Sequence, residues 1–293
     1  MTERDKAFWR LHTGIFIAGG TGIFGRLISL SEMPLVWYRI IIAAATMAVI
    51  LLCNRKLRIP PLQHLTKIFG CGAMLALHWV LFYASIKTSN VSIAVVCIAL
   101  NGFYTAILEP LINHHRFSWR ELLLSLFTLA GILLIFGFDV NYRLGIIIGM
   151  LSSLVYSLFA IYSKRVQAST GQRSSITLLY QLIGGEILLT CVLMVYAFIN
   201  TDLQLLPQGM DWWLLPVFGS IFTIGPFLFQ LQALRHISAF TVNLSFNLEP
   251  LYSIAFAAIL FNEASELNMA FWIGLALIIV SVALQSFSSK IKG

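Results

Sequence analysis

The feature that most constrains this chain is a recurrence. Runs of about twenty apolar residues follow one another from one end to the other, separated only by short polar breaks. A helix rises 1.5 Å per residue, so ~20 residues match the ~30 Å hydrocarbon core of a bilayer. The breaks delimit ten runs, at 11–30, 34–53, 64–86, 88–112, 119–138, 144–163, 175–200, 212–234, 237–261 and 268–287. Of the 293 residues, 59% are hydrophobic and 11% charged, against about 45–50% and about 25% in soluble domains. So little charge cannot coat a water-soluble globule. The expected fold class is an all-α integral membrane protein with ten transmembrane helices.

The distribution of charge is as informative as its scarcity. The net charge of +7 would suggest a nucleic-acid partner if the bases shared one soluble face, but they sit in short breaks between apolar runs, so no nucleic acid is expected. With a cytoplasmic N-terminus, the inside segments hold fifteen bases and the outside loops only Lys87 and Arg143. Such an excess is the positive-inside signature, and it places both termini in the cytoplasm. An odd number of runs would put later basic loops on the wrong side. Residues 1–10 mix acids with bases, and Arg26 interrupts the apolar stretch that follows, so the first run reads as a retained helix. Cys53, Cys71, Cys97 and Cys191 show no CxxC spacing and no companion His cluster, so neither a disulfide framework nor a metal or other cofactor is expected.

The chain also overlays on itself. Residues 101–117 lie over 250–266 with similar layout and low identity, 14–25 lie over 145–156, and Arg39 falls opposite Gln181. The repeat divides the chain into 1–138 and 139–293, with five runs each. Because five is odd, the second copy must enter the membrane upside down. Inverted repeats recur in secondary transporters, whose substrate sites lie near the midplane between the halves.

The stretch Pro34-Leu-Val-Trp-Tyr-Arg39, the run Asn247-Leu-Glu-Pro250 followed by Glu263, and the glycine-bearing tenth run around Gly274 resemble the drug/metabolite transporter superfamily, specifically its EamA-type members with two five-helix repeats. The first half departs from the second by having Asn101 and His114 where a matching copy would have Pro and Glu. The resemblance implies a secondary transporter of the bacterial inner membrane, exporting amino acids or related small metabolites by alternating access. Its partners would be a small-molecule substrate, the lipid bilayer and protons. The internal two-fold makes a monomer sufficient and leaves a dimer open.

An ionisable side chain at a helix centre costs at least ~2.5–3.5 kcal/mol to insert, so each one asks for a role. Arg39 matches an arginine typical of the resembled family and is either an anchor between helices or a forked ligand for an anionic group such as a carboxylate. Arg26 shares its depth and is expected to snorkel or pair. Carboxyl groups deprived of water exchange protons nearer neutral pH than exposed ones, which makes Glu186 and Glu249 the candidates for proton coupling. Pro250, after Glu249, is expected to free the carbonyl of Phe246, and Gly225-Pro226 to mark a kink. Glu109 reads as interfacial. His78, Trp79 and Tyr83 form one helix face suited to an aromatic-tolerant pocket. Asn101, Gln181, Asn243 and Asn247 complete the substrate-binding candidates, with interhelical hydrogen bonding as their alternative role. Trp119, Trp212 and Trp213 look like interfacial belt residues.

No nucleotide-binding loop, HExxH, GxSxG or paired acidic metal motif occurs, so the chain is not expected to be an enzyme or to be driven by ATP. An intramembrane enzyme using Glu249 or His78 as a base, and a membrane receptor without transport, are the alternative readings.

Overall fold

The computed structural model describes residues 2–114, 116–138, 140–200, 203–246, 248–262 and 267–290. All their regular structure is helical. In chain order the helices are α1 (Glu3–Ala18), α2 (Thr21–Leu27), α3 (Glu32–Cys53), α4 (Leu62–Thr88), α5 (Val91–Ile98), α6 (Leu100–Asn113), α7 (Trp119–Phe138), α8 (Arg143–Thr170), α9 (Ser174–Ile199), α10 (Asp211–Ala233), α11 (Ala239–Phe246), α12 (Glu249–Phe261) and α13 (Met269–Lys290), with one 3-10 turn at Val140–Tyr142.

Among the described residues, six helical stretches are long and apolar enough to cross a membrane: α3, α4, α5 with α6, α8, α9 and α10. Shorter apolar helical stretches lie at 125–135, 249–261 and 269–281. Their outward faces carry large apolar side chains, including Phe198 at 87% exposure, Ile259 at 80% and Trp213 at 77%. Exposed apolar surface on this scale fits a hydrocarbon solvent. Trp119 and Trp212 are exposed in the same way.

Three of the apolar runs each form two helices. The first breaks at Gly19-Gly20, the fourth at Ala99 and the ninth between Phe246 and Glu249. The ninth break falls between Phe246, whose carbonyl Pro250 is expected to free, and α12, in whose first turn Pro250 sits. There its missing N–H is one of the donors a helix start leaves unused, so the chain restarts at the proline instead of bending through it. At Gly225-Pro226, α10 runs on as one helix through both Pro216 and Pro226. The short connection after α4 is closed by Asn90, whose side chain accepts the Ile93 N–H at 2.8 Å and caps α5.

Packing is reciprocal between the first and second parts of the chain. Helix α4 lies along α8 and α9, while α10 lies along α1 and α3; α3 meets α9, α7 meets α13, α5 meets α12 and α6 meets α11. Small residues make the close crossings, as expected where lipid supplies no hydrophobic drive and helices associate through tight van der Waals packing. A Cβ on Gly72 of α4 would lie 1.9 Å from the Gln181 carbonyl oxygen of α9, and one on Gly219 of α10 would lie 3.1 Å from the Arg39 carbonyl oxygen of α3. Gly131 and Gly274 face each other, each Cβ position falling 2.6–2.7 Å from the other's carbonyl oxygen.

Candidate functional site

Among the described residues Arg39 is the most deeply buried charge, at 1% exposure on α3. Its Nε donates to Thr223 Oγ1 of α10 at 2.8 Å, and a terminal guanidinium nitrogen donates to the Tyr83 hydroxyl of α4 at 2.8 Å. The guanidinium carbon lies 4.0 Å from the Trp79 ring centroid and 4.5 Å from that of Phe218, so the cation rests against two aromatic faces. Hydrogen bonding and ring quadrupoles thus replace hydration around the buried cation.

Beside this arginine is a small cavity lined by Ala18, Thr21, Arg39, His78, Trp79, Phe82, Ile98, Tyr156, Phe227, Phe246 and Glu249. Its lining comes from α1, α2, α3, α4, α5, α8, α10, α11 and α12, so all three broken runs contribute a helix end to it. Glu249, 6% exposed, opens α12 at this wall. The first turn of a helix presents unpaired N–H groups and positive potential, which favours an acidic side chain at that position. Glu249 and Arg39 line the same cavity without forming an ion pair. The space open to water-sized guests is about 30 Å³, room for one or two waters where small-molecule pockets need about 300 Å³ or more.

His78 is fixed at the cavity wall by α8. Its Nδ1 lies 3.1 Å from the Ser152 carbonyl and 2.9 Å from Ser152 Oγ, and that hydroxyl lies 2.9 Å from the His78 carbonyl. A carbonyl only accepts, so we assign the proton to Nδ1, which leaves Nε2 as the ring's acceptor. The ring centroid is 4.7 Å from Tyr156.

The sequence candidates therefore separate into two groups. Arg39, His78, Trp79 and Glu249 line the cavity, and Tyr83 braces Arg39. Gln181 instead donates to Ser163 at the α4–α9 crossing, Asn101 accepts from Ser153 at 2.5 Å, and Asn243 donates to Thr105 at 2.8 Å. None of these three lines the cavity. Glu186 also lies elsewhere: its Oε1 accepts from Thr190, whose hydroxyl also accepts from Trp37 at the α3–α9 seam. Asn247 lies outside the described residues. Arg26 sits over the Phe261 ring at 4.6 Å, and Glu109 accepts the Phe240 N–H at 3.0 Å. Residue-by-residue reading missed Thr223, Tyr156, Phe227 and Phe246. Of these only Thr223, a hydroxyl in an apolar helix next to Gly225-Pro226, carried any signal.

Both ends of the bundle are closed by polar contacts. At one end Asp211 Oδ1 accepts the Ser29 N–H at 3.0 Å, its Oδ2 accepts the Ser29 hydroxyl at 2.6 Å, and Lys87 donates to the Ile28 carbonyl at 2.8 Å. At the other end Lys164 donates to the Ile237 carbonyl, Arg165 to that of Ile112 and Arg235 to that of Gln172. The cavity lies between these two closures.

Comparison with known proteins bears on this architecture. No curated protein sequence matches the chain. A solved crystal structure of another protein superposes with a TM-score of 0.71 at 16% identity, covering 97% of this chain and 99% of the other, which speaks to the fold alone. The sequence profile of the EamA-like transporter family matches twice, over residues 9–137 and 143–287. The two matches together take in nearly the whole helical bundle, and this membrane-spanning chain belongs to the EamA-like transporter family.

Proposed function

We propose that this chain is a secondary transporter that moves an amino acid or related zwitterionic metabolite by alternating access, and that it works as an exporter in the bacterial inner membrane. Ten passes in two inverted five-helix halves would place both termini in the cytoplasm. The reciprocal packing of α4 on α8 and α9, and of α10 on α1 and α3, supports that arrangement.

The observation that carries the substrate reading is the pairing of Arg39 and Glu249 in one aromatic cavity with no ion pair between them. A guanidinium suits a carboxylate, and a carboxylate suits an ammonium group. Once the cavity widens, a zwitterion between them would have both charges compensated, with Trp79, Phe82, Tyr156, Phe227 and Phe246 as apolar walls for its side chain. Glu249 is also the only proton-coupling candidate that touches the cavity, since Glu186 lies at the α3–α9 seam. Protonation of Glu249 would release the ammonium, which couples substrate movement to a proton gradient.

Proteoliposome flux of a labelled amino-acid and metabolite panel, with and without an imposed pH gradient, tests the reading. The wild type is expected to carry at least one zwitterion, Glu249→Gln to lose the response to the gradient, and Arg39→Met to lose flux. Flux of uncharged compounds only, or unchanged flux in both variants, would remove the charge-pair reading.

A further inference from the structure

Seven buried side-chain amide atoms stand without a hydrogen-bond partner among the described residues, and four of them lie on residues three positions along the chain from a residue of the cavity wall. These four are Asn101 Nδ2, Asn243 Oδ1 and both Nε2 and Oε1 of Gln230, on residues that are each 0% exposed. The Tyr156 hydroxyl of the cavity wall stands beside the Gln230 amide, outside hydrogen-bond geometry. Asn101 and Thr105 are four residues apart on α6 and so share a face, and Thr105 accepts from Asn243 of α11. Ser153 and Ser157 of α8 attach to Asn101, the first through its side chain and the second through its carbonyl. The three amides are thereby tied to the cavity through Tyr156 and its neighbours.

Chain direction places them all on the same side. Helix α10 passes Phe227 at the cavity before reaching Gln230, and the α5–α6 run passes Ile98 before Asn101; both then leave toward the end closed by Lys164, Arg165 and Arg235. Helix α11 enters from that end and passes Asn243 before reaching Phe246 at the cavity. Toward the opposite end the seal is aromatic and aliphatic, with Phe24 stacked on Phe218 at 4.9 Å and Gly22 and Gly25 against Val91 and Tyr83. Each buried orphan carries its full desolvation cost, so four at one level beside the cavity call for a partner that is not part of the resting bundle.

We propose that Asn101, Gln230 and Asn243 form a second, uncharged station of the transport path, lying between the cavity and the end that carries Lys164 and Arg235, which takes the hydrogen-bonding groups of a zwitterionic substrate when the bundle opens toward that end. The station rests on the transporter reading above. It makes the path asymmetric: entry from the Lys164 end is stepwise through neutral amides, whereas exit at the Asp211 end passes an apolar seal.

Two measurements test the station. The first needs no substrate: Gln230→Cys in membrane vesicles is treated with a permanently charged methanethiosulfonate reagent from either side, with wild type as the control for the four native cysteines. Modification from the Lys164 side is expected; absence of modification from both sides, or modification from the Asp211 side alone, overturns the station whatever the chain carries. The second uses Gln230→Met in proteoliposomes. Because the wild-type amide has no partner to lose, the variant is expected to melt no lower than wild type. Its KM from the Lys164 side is expected to rise about tenfold, the worth of roughly one lost hydrogen bond, with KM from the Asp211 side changed less than about twofold. Equal changes on both sides, or none on either, count against the station, while a wild type that carries no panel member counts against the transporter reading instead.

Discussion

Exchanging Arg39 for lysine and for methionine separates two contributions that charge alone confounds. The guanidinium makes two hydrogen bonds, to Thr223 and Tyr83, and rests on the faces of Trp79 and Phe218. Charge-assisted bonds contribute about 1.5–3 kcal/mol each and a desolvated cation on an aromatic face up to about 2 kcal/mol. Against these stands the cost of holding a cation out of water, several kcal/mol. Lysine keeps that cost, loses the planar stacking and reaches at best one of the two partners, so Arg39→Lys is expected to lose about 3 kcal/mol of stability. Methionine drops the attractive contacts and the desolvation cost together, and Thr223 retains its bond to the Phe218 carbonyl. Arg39→Met is therefore expected to stay within about 1 kcal/mol of wild type. Unfolding in detergent, followed by tryptophan fluorescence, ranks the stabilities, and proteoliposome flux ranks the activities. The expected order of stability is wild type close to Met, then Lys, with flux absent in both variants. A lysine variant as stable and as active as wild type would refute the argument that the flat, stacked guanidinium is what the site requires.

Other perturbations follow from the packing and the closures. Gly72→Ala sets a Cβ against the Gln181 carbonyl oxygen at 1.9 Å, and since backbone must move, thermal unfolding should show a loss of about 1–3 kcal/mol or more. Gly274→Val pushes against the Gly131 backbone in the same way and should lower the melting temperature, whereas Gly70→Ala, which meets nothing within 4 Å, should leave it unchanged. Asp211→Ala removes both acceptors of Ser29, so labelling of a Ser29→Cys thiol from that side should accelerate relative to the single Ser29→Cys variant. Thr190→Val leaves Trp37 Nε1 and Glu186 Oε1 without their shared partner and should destabilise the α3–α9 seam by about 1–3 kcal/mol while the Arg39 cavity keeps its lining.

Length and hydropathy carried a large part of the fold, because a bilayer demands that each segment satisfy its own backbone hydrogen bonds. The run 34–53 lies within α3 and the run 119–138 coincides with α7. The breaks at Gly19-Gly20, Ala99 and Leu248 were harder to read. Ala99 and Leu248 are apolar, and apolar residues within an apolar run give no sign that the helix stops. A proline alone does not settle the matter either, since α12 restarts at Pro250 while α10 continues through Pro226. In the site, Arg39, His78, Trp79 and Glu249 were legible because the cost of inserting polar groups into hydrocarbon makes each one conspicuous.

What the sequence determined by itself is the solvent, the helical class and a short roster of polar groups that had to be explained. Which of those groups share a cavity was decided only by the tertiary structure. Glu186 and Glu249 look alike in sequence, each a carboxylate in an apolar run, yet one is held by Thr190 at an interhelical seam and the other opens a broken helix onto Arg39's cavity. Tyr156, Phe227 and Phe246 stand out in no way until α8, α10 and α11 converge on that cavity. The physical reason is that insertion cost depends on a residue's own chemistry, whereas a binding site depends on where separate helices meet, and small residues such as Gly72 and Gly219 set those meetings through contacts remote in sequence.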